Sequence, residues 1–120
     1  MAENFFILLV DHSKKIYKIW MPIYRNFPKV EKFGIGQKID REFLEFLENL
    51  RTGVYSPQNE KIILLHKTIR SIDSLKFFIQ LCFEINLITT KQYARIGPEI
   101  EKLGKAVGAT KRNLAKKTSA

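Results

Sequence analysis

An all-α fold, an up-down-up-down four-helix bundle, follows from three features of this 120-residue sequence. Apolar residues recur at steps of three and four in four successive segments, no stretch alternates as a half-buried strand would, and the connections between segments are short. Neither an internal repeat nor a low-complexity linker divides the chain, so a single bundle domain over residues 1–110 is predicted, followed by a basic tail over 111–120. A chain of this size buries roughly two-thirds of the surface its unfolded form exposes.

The first helix is predicted from about Asn4 to Asn26, with Ile7, Leu8, Val10, Ile16, Tyr17, Ile19, Trp20, Ile23 and Tyr24 mostly at helical spacing and Lys14, Lys15 and Lys18 between them. Pro22 removes one backbone donor and crowds the preceding turn, so a kink or break is expected there. Phe27 to Gly34 reads as a connector, because Pro28 biases Phe27 away from helix and Gly34 permits a sharp turn.

The second helix is predicted from Ile35 to about Tyr55. Ile35, Ile39, Phe43, Leu47, Leu50 and Val54 form one face, widened by Leu44 and Phe46. Glu42, Glu45 and Glu48 lie on another face near Lys38, Arg41 and Arg51, a pattern of surface ion pairs rather than of paired catalytic carboxylates.

The central stretch is Ser56 to Asn86. Ser56 is predicted to cap the helix, Pro57 to take its first position and Glu60 to favour the positive first turn. No further Gly or Pro occurs before Gly97. At ~1.5 Å per residue this helix spans on the order of 45 Å. Ile62, Ile63, Leu64, Leu65, Ile69, Ile72, Leu75, Phe77, Phe78, Ile79, Leu81, Cys82, Phe83 and Ile85 are more than one stripe can hold. Such a helix requires cover from more than one side, and a second copy of the chain is the expected cover.

Thr89 and Gln92 have capping-box spacing and start the last helix, whose stripe is Tyr93, Ile96, Ile100, Leu103 and Val107. Gly97-Pro98 predicts a bend within it. Gly104, Gly108 and the residues beyond Thr110 predict fraying into a mobile basic tail.

Function classes are narrowed by composition. The single cysteine, Cys82, stands in an apolar run as a small hydrophobe, which fits a reducing compartment. Phe5 to Val10 is too short an apolar run for a membrane span or an export signal, so a cytoplasmic protein without membrane contact is expected. Two distant histidines and one cysteine offer no metal-ligand spacing, Ser71 and Ser74 near Asp73 lack a nucleophile motif, and Gly34-Ile35-Gly36 is not a phosphate loop. No enzyme, metal or cofactor is predicted.

Binding is better supported. The formal charge of +9 favours polyanionic partners, since each neutralised phosphate releases counterions. Lys67 and Arg70 project from one side of the central helix, with Lys76 further along, and Lys111, Arg112, Lys116 and Lys117 crowd the tail. Such residues contact phosphates without reading bases, which implies RNA or DNA binding without strong sequence specificity. Solvated charge and a solubilising tail are the alternatives. Phe33, Tyr55 and Tyr93 could stack on bases, although aromatics at helical spacing are commonly core.

Several stretches, taken together in order, resemble one family. They are Ile16-Tyr17-Lys18-Ile19-Trp20-Met21-Pro22, Phe27-Pro28-Lys29, Phe33-Gly34-Ile35-Gly36-Gln37-Lys38-Ile39 and Tyr55-Ser56. Ser71 to Leu81, Ile88-Thr89-Thr90-Lys91-Gln92-Tyr93 and Glu101 to Gly108 continue the pattern. Over about residues 5 to 110 the chain resembles the accessory variability determinant proteins of diversity-generating retroelements, within the wider group of four-helix-bundle proteins that includes those encoded in ribosomal RNA intervening sequences. The resemblance implies a ring-like homopentamer with no catalytic role. It also implies binding to the element's reverse transcriptase and template RNA in support of mutagenic copying, and a first helix that tolerates Pro22.

The family's Leu-basic-aromatic-aromatic-Leu-basic segment falls on Leu75 to Gln80, where Lys76 keeps one charge and Gln80 lacks the second. The family's closing Leu-Gly-aromatic pattern is altered to Val107-Gly108-Ala109. The alternative within the wider group is a helical oligomer of the intervening-sequence type, acting as a structural or protein-interaction module.

Overall fold

Each periodic segment folds as a helix, and the chain runs α1 (Ala2–Arg25), α2 (Lys29–Lys32), α3 (Ile35–Gly53), α4 (Gln58–Glu84) and α5 (Thr90–Ser119). This computed structural model describes residues 2–119 and the side chains of residues 5–117; Met1 and Ala120, the ends of the two predicted regions, lie outside it. The connector predicted over Phe27 to Gly34 holds one helical turn, α2. Around the bundle α1 packs on α3, α3 on α4, α4 on α5, and α5 returns to α1. Neighbours are antiparallel: Phe6 and Tyr24 of α1 lie against Gly53 and Gly36 of α3, and Lys61 and Arg70 of α4 lie near Gly53 and Glu45 of α3. Gln58 and Lys76 of α4 meet Leu114 and Glu101 of α5, and Leu9 and His12 of α1 lie near Leu114 and Glu99 of α5. The order is therefore up-down-up-down, in a body of 50 × 22 × 19 Å with no strand among the described residues.

The core follows the stripes read from the sequence. Ile16 and Trp20 of α1, Ile39, Phe43, Phe46 and Leu50 of α3, Leu65, Ile72, Leu75 and Ile79 of α4, and Ile96, Ile100, Leu103 and Val107 of α5 are buried. Burying each large side chain contributes about 1.5–3 kcal/mol. At one end Trp20 is the centre of an aromatic cluster, stacked on Tyr24 at 5.3 Å and on Phe43 at 5.8 Å with Phe27 edge-on. Asp40 anchors this cluster by accepting hydrogen bonds from the Tyr17 hydroxyl at 2.8 Å and the Trp20 indole N–H at 3.2 Å. Burial, reinforced by the Asp40 carboxylate, pushes the Tyr17 phenol up to about 12.

The opposite end is organised by Lys61, a buried residue in the first turn of α4. Its ammonium donates to the carbonyls of Gly53 at 2.7 Å, Val54 at 3.0 Å and Ser56 at 2.7 Å, and lies 5.1 Å from the centre of the Phe6 ring. A lysine thus satisfies carbonyls that the end of α3 leaves open, on the negative side of that helix's dipole. Gly53 is required beside it, because a Cβ there would overlap the Phe6 ring.

The start of α4 corrects the sequence reading. Ser56 does not cap α4: its hydroxyl turns back to the Thr52 carbonyl at 2.8 Å, and Pro57 takes the cap position. The C-terminus of α3 and Lys61 hold the turn, so the serine is not needed at the start of α4. By contrast the Thr89–Gln92 box forms as read, with the Gln92 N–H donating to Thr89 Oγ1 at 3.0 Å and the Thr89 N–H donating to Gln92 Oε1 at 2.9 Å. Asn86 ends α4 at φ 64°, a left-handed position that asparagine tolerates; the Leu87 and Asn86 N–H groups close onto the Cys82 and Phe83 carbonyls.

Neither proline ends its helix, and α5 does not fray. Pro22 and Pro98 are both exposed, so the carbonyls that lose a helical partner face water rather than core. Beyond Gly108 the helix is kept in register by buried Leu114, whose carbonyl accepts from the Gln58 side-chain amide at 3.1 Å. The segment predicted as a frayed tail is therefore helical through Ser119, with Leu114 its last buried side chain among the described residues.

Replacing Lys61 with Met would leave three carbonyls without their charged donor, and a loss of about 2–4 kcal/mol is expected in urea unfolding. A second prediction concerns pH. The folded protein favours the neutral Tyr17 phenol, so its contribution is whole below about pH 10 and is lost as pH rises from 10 towards 12. Over that window the wild-type urea midpoint should fall more steeply than that of Tyr17→Phe.

Candidate nucleic-acid interface

The bundle distributes charge unevenly. Helix α5 carries eight basic and two acidic residues, α1 four and two, α4 four and three, and α3 three and four. Of the +9 formal charge, +8 belongs to α5 and α1, which are neighbours. Within α5 the basic residues are further sorted. Positions 91, 95, 98, 102, 105, 109, 112 and 116 step by four and three along the side opposite the buried stripe, and hold Lys91, Arg95, Pro98, Lys102, Lys105, Ala109, Arg112 and Lys116. All except half-buried Ala109 are exposed. Six cations thus form a seam from one end of the bundle to the other with no acid on it.

The acids of α5 flank this seam and are already engaged. Glu99, towards α1, accepts from His12 Nε2 at 3.0 Å and pairs with Lys102 at 3.5 Å. Glu101, towards α4, pairs with Lys76 at 2.8 Å. The His12 hydrogen bond draws the Glu99 carboxyl below its usual range, and the Lys76 hydrogen bond does the same for Glu101. Both acids are therefore ionised at neutral pH, and they partly offset two cations of the seam, Lys102, which pairs with Glu99, and Lys105, which lies within the field of Glu101.

The seven basic residues predicted from the sequence do not converge. Arg112 and Lys116 lie on the seam. Lys117 lies beside it, and with Lys116 borders a groove of about 470 Å³ walled by Phe5, Leu8, Leu9 and Leu114. Lys111 reaches across the surface to His66 Nδ1 of α4 at 3.3 Å. Lys76 is held by Glu101 in the α4–α5 groove. Lys67 and Arg70 sit between α3 and α4 in a groove that Glu42, paired with Lys38 at 3.0 Å, and Glu45 also line, so acids stand among these cations. Lys91, Arg95, Lys102 and Lys105 were not among the predicted site residues. The same three-and-four count that identifies an apolar stripe would have revealed them, but Gly97-Pro98 reads as an interruption.

The outer surface of α4 is the second unusual feature. Ile63, Phe77 and Ile85 are each more than half exposed, with Phe78 packed edge-on against Phe77 at 5.2 Å. Of the aromatics considered for base stacking, Tyr93 is stacked on Phe83 at 4.6 Å, while Phe33 and Tyr55 are exposed in connections at opposite ends of the bundle. Cys82 is fully buried and its thiol is pushed up to about 11 by burial, far from a reactive thiolate. Among the described residues no three His, Cys, Asp or Glu side chains are grouped to hold a metal ion, and no helix is long and apolar enough to cross a membrane.

No known family, curated protein or solved structure matches the chain. Among the described residues the ion pair of the seam is that between exposed Lys102 and half-buried Glu99. Converting Arg95, Lys102, Lys105 and Arg112 together to Gln should therefore change stability by no more than about 1 kcal/mol in urea unfolding.

Proposed function

We propose that the protein is a non-enzymatic, cytoplasmic accessory protein that binds RNA or DNA phosphates without sequence specificity and works as a homo-oligomer. In this reading it is similar in role to an accessory variability determinant of a diversity-generating retroelement, with a reverse transcriptase as protein partner and a pentameric ring as assembly. The observation that carries the reading is the acid-free row of six cations on α5, to which the net positive charge of neighbouring α1 is added. Phosphate contact needs only such a row, whereas base reading needs amides and hydroxyls aimed at base edges. The exposed apolar residues Ile63, Phe77 and Ile85 of α4 support assembly, because one bundle leaves them in water. They equally support the second reading, a structural oligomer of the intervening-sequence type. The basic seam favours the first.

Light scattering with and without a short structured RNA, at two salt concentrations, tests both parts. The expected result is a mass near five chains and an RNA affinity that falls steeply with salt. Changing four seam cations to Gln should flatten the log–log salt slope by about 0.7–0.9 for each phosphate that is no longer neutralised. A monomer indifferent to RNA would remove the reading, and an oligomer indifferent to RNA would leave the structural module.

A further inference from the structure

Resting on the phosphate-binding reading, the geometry points to double-stranded RNA as the ligand of the α5 seam, bound across its backbone rather than through its bases. Lys91 and Lys116 bound a row about 37 Å long at ~1.5 Å per residue. Four observations select the ligand.

The first is that the seam offers no stacking platform among the described residues. Proteins that hold single strands combine cations with aromatic faces on which bases stack. The seam holds Lys, Arg, Pro98 and Ala109 only, and the nearest aromatic of α5, Tyr93, is already stacked on Phe83. The second is that polar side chains beside the seam are few. The Gln92 amide oxygen closes the helix cap, the Thr110 hydroxyl donates to the Ala106 carbonyl at 2.8 Å, and of the two side-chain amides of α5 only that of Asn113 is fully exposed. One exposed amide cannot read a run of base edges.

The third is steric. A helix reads B-form DNA by entering a major groove about 12 Å wide. Helix α5 is packed on α4 along one side and on α1 along the other, in a body no thinner than 19 Å. It therefore meets a duplex with a broad face, and the flanking helices limit how far a straight row of this length could follow that groove. The fourth is the match of that face to the A-form duplex, whose minor groove is wide and shallow and is recognised by shape and phosphate contacts. The narrow B-form minor groove, about 6 Å across, offers no comparable seat. Lys15 and Lys18 of neighbouring α1 are exposed and add to the charge around the seam, whereas Lys14 lies in the α1–α3 groove beside Asp11.

Fluorescence anisotropy on the full chain tests this with three labelled probes of equal length: an RNA duplex, one of its strands made unable to self-pair, and the DNA duplex of the same sequence. The duplex RNA should bind about tenfold or more tighter than either of the others at near-physiological salt. Changing Arg95, Lys102, Lys105 and Arg112 to Gln should abolish that preference. The charge-preserving pair Arg95→Lys with Arg112→Lys should keep it, and circular dichroism melts of both variants confirm that the bundle is intact. Equal affinity for the single strand or for the DNA duplex would overturn the duplex-RNA inference while leaving phosphate binding in place. Failure to bind any of the three would overturn both, and a preference surviving in the Gln variant would place the site elsewhere than the seam.

Discussion

The ammonium of Lys61 ties together three helices. From the first turn of α4 it reaches the last carbonyls of α3, and it lies over the Phe6 ring of α1, which itself fills the space that Gly53 leaves open. A buried charge is tolerable only where its hydrogen bonds are made, and here all three donors meet carbonyls. With Phe6 seated, the N-terminal turns of α1 bring Leu9 to α5 near Leu114, and the final turns of α5 gain a surface to pack on. The continuous run of α5 to its last basic residues thus depends on a contact made between other helices.

The far end is held differently. There the Asp40 carboxylate collects the Tyr17 and Trp20 donors, and Gly36 lets α3 start against Tyr24 and Phe27, whose rings would lie within 3 Å of an added Cβ. Each end of the bundle therefore combines one charged group with an aromatic ring and a glycine that permits close approach. Between them the packing is aliphatic on α4 and α5, which leaves the charges of those helices to be sorted by exposure alone.

That sorting produces the binding surface. Glu99 and Glu101 fall on the two flanks of α5, where His12 and Lys76 reach them, and no acid falls on its outer face. On α4 the same rule gives the opposite result, because Lys67 and Arg70 face the Glu42 and Glu45 edge of α3. Equal charges on two helices thus acquire different electrostatic surroundings from their neighbours.

Local interactions were legible in the residues. The capping box at Thr89 and Gln92 involves groups three positions apart, and the left-handed stop at Asn86 suits a residue type that accepts it. The four apolar stripes, and with them the all-helical bundle, could be read because helix period and burial are properties of a short window. Ser56 was misread as a cap because Lys61, five residues on, holds the turn through the carbonyls of Gly53, Val54 and Ser56. Fraying after Gly108 was misread because Leu114 is buried only once α1 and α4 are beside it. The sequence by itself determined the helices, their order and the excess of positive charge. Which basic residues stand together, and which are neutralised, was decided only by the tertiary structure, because that depends on the acids that neighbouring helices bring within reach.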